Sequence, residues 1–231
     1  MKKFLYNLCS ILLMLSMIFF SVFTVVNTAG FYTDQYEKNS TQHATGMSMD
    51  DLEKATVMLL DYVNGKRDNL DMQAEEFGVM QETFDTREKT HMTDVKALYR
   101  NAAKVMLAFM AVSVSGLIYL YIKDRQCFWS SFSKGYKSAM LTGIVLCIVF
   151  GLAFTLGFDT FWTLFHKVVF TNDLWLLDPR ISTMINMFPL NFFLAMCSKI
   201  LMRFAVLFSA LRVVINTAGK QSERKARLHN G

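Results

Sequence analysis

The sequence predicts an all-α membrane protein, with four transmembrane helices and helical extracellular segments lying on or near the outer membrane surface. Three observations carry this. Of the 231 residues, 53% are apolar and only two are proline, a balance well on the apolar side of an ordinary soluble domain. The apolar residues are gathered in blocks at 4–26, 105–122, 139–158 and 192–215, each long enough as a helix to cross about 30 Å of hydrocarbon. Positive charge is concentrated in alternate connections. Lys2 and Lys3 precede the first block, Lys123, Arg125, Lys134 and Lys137 lie between the second and third, and Lys220, Arg224, Lys225 and Arg227 fill the tail. That bias marks the cytoplasmic side, so both termini are expected inside and the segments between spans one and two and between three and four outside. The formal net charge of +5 is then a matter of topology and not a nucleic-acid footprint.

Taken in order, residues 1–27 form the first transmembrane helix. The apolar run after Lys2 and Lys3 exceeds the roughly 7–15 residues of a secretory signal core, so it reads as a signal anchor. The small residues Thr28, Ala29 and Gly30 leave cleavage open. Residues 28–104 make an acidic extracellular segment with amphipathic helices, and Asp50, Asp51, Glu53, Glu75 and Glu76 are among its carboxylates. Ser48 followed by Asp51 is a capping start. Leu52, Ala55, Leu59, Leu60 and Val63 recur at helical spacing until Asn64-Gly65 ends the run. The stretches 32–47 and 66–81 give no sharp signal, and His43 reads as a solvated loop residue. Cys9, Cys127, Cys147 and Cys197 fall in or near spans or on the inner side. The outer segments therefore offer no disulfide framework and no cysteine metal site.

TREKTHMTDVKALYR at 86–100 is more pointed. On a helix, His91 shares an apolar stripe with Val95 and Leu98 and lies one turn from Glu88 and Asp94. A carboxylate that orients an imidazole suits a general base, while an ordinary surface i, i+3 pair is the plainer alternative. One straight helix from His91 to Val105 would put the imidazole about 20 Å above the membrane boundary. A role at the membrane surface thus requires a bend. The second span, 105–122, is followed by a basic cytoplasmic loop at 123–138 and the third span at 139–158.

Residues 159–191 form an extracellular interfacial loop. Asp159 or Thr160 can cap a short helix over 161–170, in which His166 shares a face with Trp162 and Phe170. Asn172 and Asp173 read as a turn and cap before 174–177. Asp178-Pro179 starts another helical piece with Ile181, Met184, Ile185 and Phe188 on one face. Trp175 has the character of an interfacial anchor. The fourth span, 192–215, carries Lys199 and Arg203 one turn apart, before a basic tail at 216–231. Charges at such depth face a wet cavity, a lipid phosphate or an ester carbonyl, or snorkel to the surface.

EKTHMTDVK at 88–96 and FHKVVFTNDLWLLDP at 165–179 resemble the two signature segments of the lipoprotein intramolecular transacylases, four-helix membrane enzymes of Gram-positive bacteria. Span number, orientation and loop sizes are similar too. The resemblance implies transfer of the sn-2 acyl chain of a diacylglyceryl lipoprotein to the α-amino group of its own N-terminal cysteine, giving an N-acyl lyso-form. It implies His91 and His166 as the catalytic pair. Glu88, Asp94, Asn172, Asp173, Trp175 and Arg203 are the candidates for supporting or substrate-binding roles. The expected partners are the diacylated lipoprotein and the bilayer, with no cofactor, no metal and no nucleic acid; oligomeric state is open. The expected location is the bacterial cell membrane, with the active site outside.

The residues suit this chemistry in their own right. An α-ammonium, with a reference pKa of about 7.7–8.0, must lose a proton before attacking an ester, and neutral imidazole can take it. Nucleophile and ester belong to one molecule, so holding them folded together removes much of the barrier. His166, in the more apolar segment, is the expected base. His91, with Asp94 and Glu88 near, is expected to stay protonated more readily and to serve the oxyanion or the leaving oxygen. Two other readings compete. A metal hydrolase could use both histidines with Asp94 or Asp173, although no HExxH-type cluster is present. A non-enzymatic four-span protein could bind a partner through its outer segment. Convergence of His91 and His166 on one lipid-accessible cavity separates the enzyme from the binding protein.

Overall fold

The structure, a computed structural model, describes residues 2–229, with side chains throughout that range except at 154–156, 223 and 225–229. Lys225 and Arg227 of the expected basic tail lie outside the described side chains. The elements are α1 (Lys2–Val26), α2 (Ala29–Lys38), α3 (Thr41–Thr45), α4 (Met49–Val63), β1 (Gln73–Glu76), β2 (Val79–Glu82), α5 (Thr86–Lys123), α6 (Phe128–Val169), α7 (Thr183–Met187) and α8 (Leu190–His229). Four helical stretches, in α1, α5, α6 and α8, are long and apolar enough to cross a membrane. The fold class is the expected four-span helical one, with one small β-hairpin added.

Two of the long helices differ from expectation. The bend expected between His91 and Val105 is absent, because α5 runs unbroken from Thr86 to Lys123. No glycine or proline lies between 86 and 115 to interrupt it. Its apolar, membrane-length stretch is 105–122, and the charged first part, with Asp94, Lys96, Arg100 and Lys104, extends beyond that. In α6 the helix begins at Phe128, so Lys134 and Lys137 sit on helical turns, and the connection expected at 123–138 shrinks to 124–127. The same helix is broken at Gly157, whose φ of 167° and ψ of 78° leave the helical region. The helical piece beyond that break is the one expected to carry Trp162 and His166.

The chain divides into two compact units. One comprises 2–22, 103–152 and 200–229. Its core packs Tyr6, Met14, Leu120, Phe132, Tyr136, Phe204 and Phe208. Polar groups there close on the backbone: Ser113 Oγ donates to the Cys9 carbonyl at 2.8 Å and Tyr136 Oη to the Phe208 carbonyl at 2.7 Å. Arg212 Nη1 donates to the Ser133 carbonyl and hydroxyl, both at 2.9 Å. Arg203 belongs to this unit and is exposed.

The other unit comprises 23–102 and 153–199. Its core gathers Tyr32, Tyr36, Leu52, Leu59, Phe84, Met187 and Phe192. The stretch 32–47, without signal in the sequence, thus supplies α2 and α3 and much of the core. Tyr36 and Thr56 hydroxyls bond at 2.5 Å. α4 is as the sequence predicts: Ser48 Oγ accepts from Asp51 N at 3.1 Å. Leu52, Ala55, Leu59 and Val63 are buried, and Gly65 follows at φ 78°. His43 is exposed on α3.

Residues 66–81, which read as irregular, contain the antiparallel pair β1–β2, with Gln73 opposite Glu82 and Glu76 opposite Val79. Both central residues of its turn are left-handed, Phe77 at φ 51° and Gly78 at φ 83°. That mirror-image turn matches strand twist. α7 begins at Thr183, with Ser182 Oγ as its cap accepting from Ile185 N at 3.3 Å, five residues later than the expected start at Asp178. Asp178 instead accepts from Arg180 N at 3.0 Å and pairs with its guanidinium at 2.6 Å. Ile181, expected on the apolar face, is exposed.

Candidate active site

The first turn of α5 is tied in two directions. Asp85 Oδ1 accepts from Glu88 N at 2.8 Å and Glu88 Oε2 accepts from Asp85 N at 2.7 Å, a reciprocal cap. Glu88 Oε1 accepts from the Ser182 hydroxyl at 2.6 Å and from Met184 N at 2.8 Å. Only 1% of Glu88 is exposed. Burial pushes its carboxyl upward, and the three donors pull the other way. The carboxylate expected beside His91 therefore fastens α5 to the start of α7.

His91, one turn further, is 8% exposed. Its Nδ1 is buried without a hydrogen-bond partner among the described residues. Burial first, then His166 and Arg87, depress it to about 4, against the opposing pull of Asp94. The expectation of a readily protonated His91 is overturned. Asp94 does not orient the ring; its Oδ2 accepts from Asn172 Nδ2 at 2.9 Å.

His166 sits on the α6 piece beyond Gly157, also 8% exposed. Its Nδ1 lies 2.8 Å from the Trp162 carbonyl. A carbonyl only accepts, so Nδ1 carries the hydrogen and Nε2 is left with the lone pair. Burial lowers its pKa as well, with the bond to Trp162 acting against that. The ring is held on several sides, with Trp162 edge-on at 4.8 Å and Trp175 stacked at 4.9 Å between centroids. Trp175 is thus placed against the His166 ring. The two imidazoles are 6.3 Å apart between centroids.

The segment 171–182 that carries Trp175 is strapped to α5. Asn172 Oδ1 accepts from Leu174 N at 3.1 Å, the expected turn, while its amide reaches Asp94. Arg87 Nη2 donates to the Asp173 carbonyl, so it is the backbone of Asp173 and not its carboxylate that makes this contact. Arg203 belongs to the other unit. Lys199 Nζ lies over the Phe31 ring, 4.9 Å from its centroid.

Both histidines line a cavity of about 450 Å³. Met92, Val95, Leu98 and Tyr99 continue its wall along α5; Leu59, Leu60 and Val63 come from α4, and Phe192, Phe193 and Met196 from α8. No aspartate, glutamate, lysine or arginine is among its lining residues. A concave apolar wall with a few polar groups is the usual make-up of a small-molecule site. No cluster of three or more His, Cys, Asp or Glu with metal-holding geometry occurs among the described residues. Asp94, a proposed third ligand, is turned to Asn172.

Sequence reasoning missed Arg87, Ser182 and the Trp162 carbonyl. Arg87 had a signal, standing four residues before His91 and so one turn away on the same side of a helix. Ser182 had another, three residues before Ile185 at a helix start. A backbone acceptor has none.

The family model described as lipoprotein intramolecular transacylase Lit matches residues 7–193. Comparison with curated proteins finds no match. Among solved structures, the chain is similar to the membrane-integral lipoprotein intramolecular transacylase Lit from Bacillus cereus, at 22% identity over 99% of this chain and 98% of that one, with a TM-score of 0.76. Two structures of that protein with a histidine replaced by arginine or by alanine are similar at a TM-score of 0.73 and 22% identity. Each covers 96% of this chain, and 95% and 96% of those chains respectively.

Proposed function

The chain belongs to the lipoprotein intramolecular transacylase family, and from that premise we propose that it moves the sn-2 acyl chain of an S-diacylglyceryl lipoprotein onto the α-amino group of the N-terminal cysteine. The family supports intramolecular acyl transfer in lipoprotein maturation, and the four long apolar helices support a multi-pass membrane protein. The finer reading rests on one observation: two buried imidazoles, 6.3 Å apart, on the wall of a cavity without charged lining.

His166 is the base in this reading. Its Nδ1–H is committed to the Trp162 carbonyl, so Nε2 takes the proton from the substrate ammonium. The amine nitrogen then attacks the sn-2 carbonyl carbon, forming the C–N bond and a tetrahedral oxyanion. His91, neutral because it is buried, donates a hydrogen bond to that oxygen. Collapse breaks the bond to the sn-2 glyceryl oxygen, which leaves with the proton held on His166. The nitrogen gives up its second proton to water as the amide forms, so of the two protons the ammonium loses one goes to the glyceryl oxygen and one to solvent; the amide replaces the ester and no co-reactant is required. Carrying nucleophile and ester in one molecule supplies a high effective molarity, which is why two imidazoles suffice. The apolar wall along α5 takes the acyl chain. Glu88, Asp94, Asn172, Asp173 and Trp175 support the pair as described, the site faces outside, and both termini face the cytoplasm.

Mass spectrometry of a diacylated lipoprotein incubated with the enzyme in liposomes tests this. The wild-type protein is expected to give the N-acyl lyso-form, and His166→Ala and His91→Ala to lose roughly 10²–10⁴-fold in rate. Full transfer by either variant removes that residue from the mechanism. A wild-type protein that binds lipoprotein without moving the chain favours the non-enzymatic binding reading.

A further inference from the structure

Three polar attachments hold the segment 172–184 against the first three turns of α5. Glu88 takes Ser182 and Met184, Asp94 takes Asn172, and Arg87 takes the Asp173 carbonyl. They differ in what becomes of the charge. The Glu88 carboxylate is surrounded by three donors, and Asp94 by an amide. Arg87 offers five N–H groups, yet its partner is a neutral carbonyl, and it forms no ion pair among the described residues. The cavity itself is lined by no lysine or arginine.

We propose that Arg87 is a positioning residue for the histidine pair: it holds, through the Asp173 carbonyl, the segment that lays Trp175 on His166, and it supplies the fixed positive charge beside His91. The inference rests on the acyl-transfer reading. Trp175 lies two residues beyond Asp173 along the strap, and its stack on His166 at 4.9 Å depends on where that strap lies. On α5, Arg87 stands one turn before His91. A cation there disfavours a second positive charge on the imidazole. The charged groups that act on His91 are Asp94 and Arg87 on its own helix and His166 from α6. Asp94 favours imidazolium, and His166 and Arg87 oppose it; with burial added, the ring stays neutral and available as an N–H donor without a charge.

The test measures kcat and KM against pH for Arg87→Gln, Arg87→Met and Arg87→Lys in liposomes with a diacylated lipopeptide, beside the wild type. Two neutral replacements are used so that one folded variant suffices. The neutral variants are expected to lose about tenfold or more in kcat, the scale of a misplaced catalytic group, with KM little changed. The titration of the His91 ring, followed by NMR in the same variants, is expected to move to higher pH, since removal of the cation makes imidazolium easier to form. Arg87→Lys keeps the charge and so the position of that titration, while losing part of kcat because an ammonium is no planar fork. A neutral variant whose His91 titration stays where the wild type's is overturns the proposal, whatever its rate. A wild-type enzyme that yields no N-acyl product overturns the acyl-transfer reading instead.

Discussion

The two units bury polar groups in different ways. In the unit of 2–22, 103–152 and 200–229, the buried serines Ser16, Ser21 and Ser113 donate to backbone carbonyls, and the aromatic hydroxyl of Tyr136 closes on a helix carbonyl. The other unit buries Glu76, Glu88, His91 and His166. A hydroxyl bonded to a backbone carbonyl costs little to bury, whereas a carboxylate or an imidazole loses hydration that neighbours must replace. The first pattern fixes how helices touch. The second holds ionisable groups whose charge their surroundings decide, and Glu88 with its three donors fastens α5 to the start of α7.

The sharpest way to break that contrast is at Glu88. Glu88→Ala leaves the Ser182 hydroxyl, Met184 N and Asp85 N without their acceptor, and is expected to cost about 3–5 kcal/mol. Denaturant unfolding in detergent reads the loss, and a variant as stable as the wild type would show that the clamp holds nothing. Acid is a milder probe. His91 has a reference value of 6.5 and stands at about 4 in the folded chain, so between those values the unfolded chain takes up a proton that the folded one refuses. Its contribution is fully present above 6.5 and is lost as pH falls toward about 4, of order 2–3 kcal/mol. Unfolding at pH 7 and pH 4.5 should show it, and His91→Phe should flatten it; a wild type with equal stability at both leaves His91 no more buried than a surface histidine. The smallest effect belongs to the other unit. Tyr136→Phe removes one bond to the Phe208 carbonyl, costing about 1 kcal/mol, and kcat should not change.

The four spans were legible because twenty apolar residues in a row have few other solutions. The capped helix α4 was legible for the same kind of reason, since Ser48, a 3.6-residue apolar period and Asn64-Gly65 all agree. His91 and His166 were legible as residues, but their surroundings were not. Periodicity placed Asp94 one turn from His91, yet rotamer and partner decided the matter, and Asn172 took the carboxylate. The bend in α5 was inferred from where the site ought to lie, when the chain between 86 and 115 contained no residue able to make one. The hairpin was missed because Phe77-Gly78 is not one of the common asparagine or aspartate turns, and its strands are four residues each. Tyr32 and Tyr36 were spaced to share a helical face, but a stretch in which polar residues outnumber apolar ones did not announce a core.

His166 is fastened at Nδ1 and flanked by two indoles, so it has little freedom to swing toward a substrate. In the acyl-transfer reading, the approach then belongs to the lipid arm, which must fold until amine and ester meet at Nε2. The temperature dependence of turnover should follow the fluidity of the acyl chains and bend near the melting transition of the host bilayer, with the protein acting as a fixed anvil on which a mobile chain is shaped.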